Sequence, residues 1–276
     1  MCVCLFTYIV VCVSCVKKCT IEIWKIKVRD EVCNLLHDLT VSDAQMLRKE
    51  LTRFRMAYKF ALDEINTKIN ILKEEFNYIH EYNPIEHVSS RVKTPESIIS
   101  KIERKNLDYT LESIRENIKD IAGVRITCSF VSDIYKVSDM LVRQKDVTVL
   151  EMKDYIKNPK PNGYRSLHMI VEIPIFMSDR EIHVPVEIQV RTIAMDFWAS
   201  LEHKIFYKYN KEIPKHLIEE LKEAATTANE LDLKMERLNK EVKVYKDKDS
   251  TESKPLMEMK MLPLKLLESF AGKSKN

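Results

Sequence analysis

The scarcity of glycine is the strongest constraint on what this chain can fold into. Gly123, Gly163 and Gly272 are its three glycines in 276 residues, where about 7% of residues is usual. No two are spaced as in G-x-G-x-x-G or G-x-x-x-x-G-K-[ST], the glycine-rich loops that hold phosphates in Rossmann and P-loop proteins. Both classes are therefore excluded. A phosphate-binding site in this chain must rely mainly on Arg and Lys side chains.

The overall charge is nearly balanced. There are 45 Lys and Arg residues against 42 Asp and Glu residues, a net charge of +3. This excess is too small for a protein that coats nucleic acid, so we expect basic sites to be local and no obligatory nucleic-acid partner. With 45% hydrophobic and 32% charged residues, the composition is that of a globular protein rather than a disordered one.

The N-terminal segment is apolar and rich in cysteine. Residues 2–16 are too few to span a bilayer, which takes about 20 residues, and Lys17 follows the apolar run instead of preceding it as in a signal peptide. The pair Cys12 and Cys15 has no matching second pair that would complete a zinc site. Cys128 is the single cysteine beyond residue 33, which favours a reducing cytoplasm and no membrane anchor.

These observations predict three segments. Residues 1–43 are a disordered leader or a misassigned start, 44–245 form one domain, and 246–276 form a flexible charged tail. Within the domain, apolar spacing predicts helices over 44–80, 95–105, 132–143, 193–207 and 214–244. Strands are predicted over 124–130, 147–152, 164–175 and 181–191, the last two pairing as a hairpin. The expected fold class is α+β, with a mixed sheet of four or five strands flanked by helices.

Alternation along three of these strands separates a core face from a polar face. Side chains alternate across a strand, so Ile188 and its neighbours at every second position belong to the core. The opposite face carries the polar set His183, Glu187, Gln189, Arg191, Tyr164, Ser166, His168, Glu172, Arg125, Thr127 and Ser129. This pattern alone fits a solvated sheet face or a binding surface.

Charged residues around this face favour the binding surface. Asp120 precedes the first predicted strand and Glu187 lies in the last, and two converging carboxylates could hold Mg²⁺, which takes oxygen ligands. Basic residues form two groups, one of Arg91, Lys93, Lys101, Arg104 and Lys105, and one of Lys153, Lys157 and Lys160 in a predicted loop. Two basic groups on either side of a carboxylate pair suggest two polyphosphates meeting at a metal ion.

Five motifs carry a resemblance to a known family. They are Arg91-Val-Lys93, Asp120-Ile-Ala-Gly-Val-Arg-Ile126, Gly163-Tyr-Arg-Ser-Leu-His168, Glu187-Ile-Gln-Val-Arg-Thr192 and Ala194-Met-Asp-Phe-Trp-Ala-Ser-Leu-Glu-His203. In order and spacing they resemble the RelA/SpoT synthetase domain, over about residues 50–245, and most of all the stand-alone small alarmone synthetases. The resemblance implies a nucleotidyltransferase-like fold and transfer of the β,γ-pyrophosphate of ATP to the 3′-hydroxyl of GTP or GDP.

The resemblance also implies roles for individual residues. Asp120 and Glu187 would be the Mg²⁺ ligands, with Glu187 also drawing the proton from the 3′-hydroxyl. Arg91 and Arg125 would sandwich the adenine, for which the flat guanidinium is suited and Lys is not. The ATP phosphates would be held by Lys93, Lys101 and Arg104. Tyr164 would stack on guanine, and the other acceptor-binding residues would be Lys153, Lys160, His168, Gln189 and Asp196.

Departures from the family set further expectations. His37-Asp38 is an isolated remnant of the hydrolase motif His-x-x-x-His-Asp, since Cys33 stands where the first His should be, so no hydrolase activity is expected. The small synthetases are homotetramers, which implies the same assembly here. Two alternatives remain open: a nucleotidyltransferase acting on RNA or a small molecule, and a non-catalytic nucleotide-binding or RNA-binding module. The resemblance also implies no obligatory ribosome partner, since the regulatory domains with which the long members of the family read stalled ribosomes are not expected here.

Overall fold

The computed structural model describes residues 41–80, 82–206 and 214–249. The helices in this part of the chain are α1 (Val41–Ile79), α2 (Pro95–Lys105), α3 (Leu111–Asn117), α4 (Val131–Val142), α5 (Ile193–Phe206) and α6 (Lys215–Asp249). The strands are β1 (Ile85–Val92), β2 (Ala122–Cys128), β3 (Thr148–Asp154), β4 (Leu167–Phe176) and β5 (Glu181–Thr192).

Helix α1 covers one face of the sheet. Its apolar residues recur at helical spacing and become the buried side of the helix, among them Tyr58, Ile65 and Ile69. Together with α4 it contacts β2 and β5, so the hydrophobic core lies between these helices and the sheet. Each fully buried aliphatic side chain contributes roughly 1.5–3 kcal/mol. The opposite face of the sheet remains available for polar side chains.

The five strands form one mixed sheet in the order β1-β2-β5-β4-β3. The β2 and β5 strands are parallel, and the other neighbours are antiparallel. A mixed sheet of five strands flanked by helices confirms the predicted α+β class. The predicted hairpin is confirmed as well, because β4 and β5 pair antiparallel and Met177 N–H donates to the carbonyl of Arg180 across the turn.

Two elements have no counterpart among the predicted ones. β1 is an edge strand in which most residues are exposed and polar, so it lacks the apolar alternation that marks a half-buried strand. α3 has only 7 residues. The start of α2 is defined by its capping residues: Thr94 accepts a hydrogen bond from the N–H of Ser97, and Pro95 occupies the first turn.

Three predicted placements are wrong. β2 begins at Ala122 and not at 124, so Asp120 lies two residues before the strand. Tyr164 is not in a strand, because β4 begins at Leu167 and the preceding segment is a loop. Lys153 is not in a loop, because β3 continues to Asp154. In each case the pairing with a neighbouring strand determines where the strand begins or ends, and the alternation of apolar and polar residues does not predict that pairing.

The C-terminal helix crosses the boundary between two compact units. The first unit ends at Leu233, and the second begins at Lys234. Helix α6 continues to Asp249, past the predicted helix end at 244 and the start of the predicted tail at 246. In the second unit, Lys240 forms an ion pair with Glu236 one turn earlier, at 2.8 Å. The predicted leader, apart from residues 41–43, and the rest of the tail lie outside the described residues.

Candidate active site

One row of side chains crosses all five strands on the polar face of the sheet. Strand register places Ser89 opposite Arg125, Arg125 opposite Gln189, Gln189 opposite His168, and His168 opposite Lys153. Glu187 is two residues from Gln189 on the same face of β5, the central strand. The structure therefore brings predicted ATP-binding and acceptor-binding residues together on either side of Glu187.

Asp120 lies two residues before β2 in a cluster with two lysines. Its Oδ2 atom accepts from Lys93 Nζ at 2.5 Å and is 2.7 Å from Lys101 Nζ. Burial raises the pKa of the Asp120 carboxyl, but the hydrogen bonds from Lys101 and Lys93 outweigh it and hold the pKa below its usual value. Oδ1 is buried and has no hydrogen-bond partner. Asp120 is thus ionised at neutral pH with one oxygen unused.

A cavity of about 180 Å³ opens beside this cluster on the same face. Arg91 from β1 and Arg125 from β2 line it, as predicted for a pair that holds a flat base between them. Burial lowers the pKa of the Arg125 guanidinium, as does the charge of Arg191, while Asp196 opposes the shift. Glu187 and Gln189 line the other side of the same cavity. Arg104 is exposed in the last turn of α2 and is not among the ion-pair partners of Asp120 in the described structure.

Both oxygens of the Glu187 carboxylate face neighbouring donors. Oε2 accepts from Gln189 Nε2 at 2.9 Å, and Oε1 lies 3.5 Å from His168 Nδ1. Burial raises the pKa of Glu187, but the interactions with His168 and Gln189 outweigh it and the pKa lies below its usual value, against an opposing effect of Asp120. Glu187 is therefore an ionised carboxylate between the predicted ATP-binding residues and the predicted acceptor-binding residues, able to accept a proton or bind a cation.

The acceptor side is built around Tyr164. Its hydroxyl lies 2.7 Å from Nε2 of His168 and accepts from Ser166 Oγ at 3.0 Å. The ammonium group of Lys160 lies 4.7 Å from the centroids of both the Tyr155 and Tyr164 rings, within cation–π range. The structure thus brings Lys160, Tyr164 and His168 together as predicted. Lys153 stands opposite His168 on β3, but it is exposed and pairs with Glu151 at 2.7 Å.

The loop before Tyr164 packs against α6. Gly163 has a φ of +88°, and a Cβ there would lie 2.5 Å from that of Ala225, so only glycine fits. Trp198 of α5 donates from Nε1 to the carbonyl of Leu221 at 3.1 Å and closes a small apolar cluster against the ring of Tyr164. These contacts hold the loop in place on the acceptor side.

Alternation predicts that Arg191 lies on the polar face, but the sequence predicts no binding or catalytic role for it. It is 5% exposed, and its guanidinium contacts Tyr164, Gln189 and Asp196. Asp196 Oδ1 receives both Arg191 at 3.0 Å and Arg125 at 3.3 Å. Asp196 therefore connects the ATP side to the acceptor side. Tyr155, whose ring meets Tyr164 and His168, carried no signal in the sequence.

The donor set fits a hard divalent cation. Asp120 offers a buried oxygen without a hydrogen bond, and Glu187 offers an ionised carboxylate. Among the described residues there is no group of three or more His, Cys, Asp or Glu side chains able to enclose a metal by themselves. Mg²⁺ is commonly held by one or two carboxylates, with substrate phosphates and water as its other ligands. The residues present match that arrangement.

Comparison with known proteins places this geometry in a family. The profile described as "Region found in RelA / SpoT proteins" matches residues 90–212, which include β2, β3, β4 and β5. The GTP pyrophosphokinase YwaC of Bacillus subtilis (strain 168) is 52% identical over 208 residues, covering 74% of this chain and 99% of the relative. Within the described residues, no helix has the length and apolar character needed to cross a membrane.

Solved structures give the same result. The small alarmone synthetase 2 of Bacillus subtilis is 53% identical with a TM-score of 0.64, covering 70% of this chain and 99% of that one. The small alarmone synthetase 1 of Bacillus subtilis, solved bound to its product pppGpp, is 41% identical with a TM-score of 0.65, covering 70% and 98%. This chain therefore belongs to the RelA/SpoT family, among the small alarmone synthetases.

Proposed function

We propose that this protein is a GTP diphosphokinase that transfers the β,γ-pyrophosphate of ATP to the 3′-hydroxyl of GDP or GTP, forming ppGpp or pppGpp. One observation carries the proposal: Glu187 lies on the central strand with the Arg91 and Arg125 cavity on one side and Tyr164, Lys160 and His168 on the other. A transfer between two nucleotides requires such a carboxylate between two nucleotide sites. The relatives named GTP pyrophosphokinase support the same reaction.

The chemistry assigns a role to each part of the face. Arg91 and Arg125 hold adenine, while Lys93, Lys101 and Arg104 neutralise the ATP phosphates. Tyr164 stacks on guanine, with Lys153, Lys160, His168, Gln189 and Asp196 around the acceptor. Glu187 accepts the proton of the acceptor's 3′-hydroxyl while the 3′-oxygen forms a bond to the β-phosphorus of ATP. The bond from that phosphorus to the α,β-bridging oxygen breaks, and AMP leaves.

Asp120 and Glu187 would hold Mg²⁺ in this reaction. The ion supplies charge neutralisation on the transferred phosphates and a fixed orientation for them. In the described structure Lys93 and Lys101 occupy Oδ2 of Asp120, which leaves the buried Oδ1 as its open ligand atom. Because Lys93 and Lys101 both contact the Asp120 carboxylate, they are also placed to hold the phosphates that an ion bound to Asp120 would bind.

Two other activities use similar scaffolds and are distinguished by their products. A nucleotidyltransferase would attach AMP to RNA or a small molecule and release pyrophosphate, and a non-catalytic module would bind nucleotides without turnover. Both carboxylates are present and ionised, which favours catalysis. The test is incubation with Mg²⁺, GDP and ATP labelled in its terminal phosphates. Label on a guanosine product supports the synthetase, and its absence would contradict it.

We further propose that the protein is a homotetramer working in the cytoplasm. Helix α5 has an exposed apolar residue at every fourth position, which together make a stripe along one face of the helix. The stripe consists of Ile193, Phe197, Leu201 and Ile205, and Phe197 is 65% exposed. Such a stripe on one helix face is typical of a surface covered by another subunit. Light scattering on a variant lacking residues 1–40 tests this: a mass near four chains supports the assembly, and a monomer at micromolar concentration contradicts it.

A further inference from the structure

Arg191 is a buried cation fixed by three acceptors. Its Nη1 donates to Asp196 Oδ1 at 3.0 Å, and its Nη2 donates to the Tyr164 hydroxyl at 2.6 Å and to Gln189 Oε1 at 3.0 Å. A guanidinium only donates hydrogen bonds and stays protonated in proteins. Every group that faces Arg191 must therefore turn an acceptor atom towards it.

The first consequence concerns the Gln189 amide. Because Oε1 must face Arg191, the amide nitrogen Nε2 points the other way, towards Glu187. Nε2 donates to Glu187 Oε2 at 2.9 Å. Without Arg191 the amide could turn over, and its oxygen would then face the carboxylate and repel it.

The second consequence concerns the hydrogen on His168. The Tyr164 oxygen accepts from Arg191 and from Ser166 Oγ, so its own proton points to the remaining neighbour, Nε2 of His168 at 2.7 Å. In a neutral imidazole, one nitrogen accepts and the other donates. The hydrogen of His168 is then on Nδ1, which faces Oε1 of Glu187 at 3.5 Å.

We propose that Arg191 is a positioning residue that orients the Glu187 carboxylate through two arms: the hydrogen bond from Gln189 to Oε2, and Tyr164 with His168, whose Nδ1 lies 3.5 Å from Oε1. The catalytic part of this inference rests on the proposed function. A general base must be aligned with the proton that it takes, and a misplacement of about 1 Å can cost on the order of 10²-fold in rate. Arg191 supplies that alignment without contacting the Glu187 carboxylate itself, because it acts through Gln189 and Tyr164.

The first test reads the tautomer of His168 by ¹⁵N NMR at a pH of about 8.5, where histidine is ordinarily neutral. The seven histidines are labelled, and the His168 signals are assigned with His168→Gln. We expect the hydrogen on Nδ1 in the parent protein and on Nε2 in Arg191→Gln and Tyr164→Phe. A hydrogen on Nε2 in the parent, or the same tautomer in all three proteins, would overturn the proposal. Tyr164→Phe provides this reading if Arg191→Gln does not fold.

The second test is kinetic. Arg191→Gln should lower kcat at least about tenfold with the KM for ATP within about threefold, because the variant disturbs the Glu187 carboxylate and does not alter Arg91 or Arg125, the pair proposed to hold adenine. The double variant with Tyr164→Phe should be no more than about twofold slower than Arg191→Gln, since both changes break the same arm. Arg191→Lys, which also only donates, should recover part of the loss. The matched control is Arg143→Gln, an exposed arginine after α4.

The two tests separate this inference from the proposed function. An unchanged kcat in Arg191→Gln, or losses that multiply in the double variant, would remove Arg191 from the positioning of Glu187. A parent protein without synthetase turnover would contradict the proposed function. The NMR measurement requires no turnover and still decides whether Arg191 sets the hydrogen-bond directions towards Glu187.

Discussion

Gly123 and Glu187 stand directly opposite each other in the parallel pair of β2 and β5. Both line the cavity that also contains Arg91 and Arg125, so the missing side chain of Gly123 leaves space immediately beside the Glu187 carboxylate. A Cβ at this position would meet only the carbonyl oxygen of Arg91, at 3.9 Å. The glycine is therefore needed for the space that a larger side chain would take and not for backbone conformation.

Substitution of Gly123 tests that relationship. Gly123→Leu should raise the KM for ATP at least about tenfold, because the side chain would fill the cavity and cost at least about 1.4 kcal/mol of binding. Gly123→Ala is the matched control and should stay within about threefold of the parent, since its Cβ has room. Steady-state kinetics with varied ATP measures both. Equal effects of the two substitutions would show that the cavity is not the ATP site.

Glu187→Gln should abolish synthesis and preserve the fold. The change is nearly isosteric but removes the charge that we propose accepts the proton and binds the metal, and its loss should cost at least about 10²-fold in rate. The melting temperature should stay within about 3 °C of the parent, the shift expected for a change near 1 kcal/mol. Activity within tenfold of the parent would exclude Glu187 as the base.

Tyr164→Ala should weaken the acceptor nucleotide more than ATP. Stacking of a base on an aromatic ring is worth roughly 1–3 kcal/mol, which corresponds to about 5–150-fold in affinity. The KM for GDP and that for ATP are measured separately. Because the ring also packs against Trp198, equal losses for both nucleotides would instead point to a loosened loop.

The Asp120 cluster predicts a pH dependence of stability. The folded pKa of Asp120 lies below its unfolded value, so its ion pairs stabilise the fold above a pH of about 4 and this contribution is lost as pH falls through the folded pKa. Asp120→Asn should therefore be less stable than the parent at pH 7, and the difference should shrink as the pH falls below 4. Urea unfolding at several pH values measures it, with the exposed Asp139→Asn as control. A difference independent of pH would contradict the ion-pair account.

Much of this site could be predicted because strand alternation is a local property. Ile188 and Val190 are buried while Glu187 and Gln189 face the site, as the sequence pattern indicates. β1 could not be predicted from alternation, because an edge strand obtains its stability from pairing with β2 and needs little burial. The role of Arg191 also depends on tertiary contacts, since Tyr164 is 27 residues away in the chain.

The loop at Gly163 shows the same limit. Gly163 comes just before Tyr164 and has a positive φ, so the backbone needs a glycine at this turn. The close approach of Ala225 could not be predicted, because helix α6 follows more than 50 residues later and its contact with the loop is a property of the folded chain. Composition and spacing identify which residues carry the chemistry, and packing decides how they are held.

The fate of each ATP phosphate tests the synthetase assignment most directly. Parallel reactions with Mg²⁺ and GDP would contain ATP labelled at the α-phosphate or at the γ-phosphate, with Glu187→Gln as the matched control. We expect the γ label on a guanosine product bearing a 3′-pyrophosphate, the α label on AMP, and neither product from the variant. Transfer of the α label to a product with release of pyrophosphate would contradict the synthetase and identify a nucleotidyltransferase.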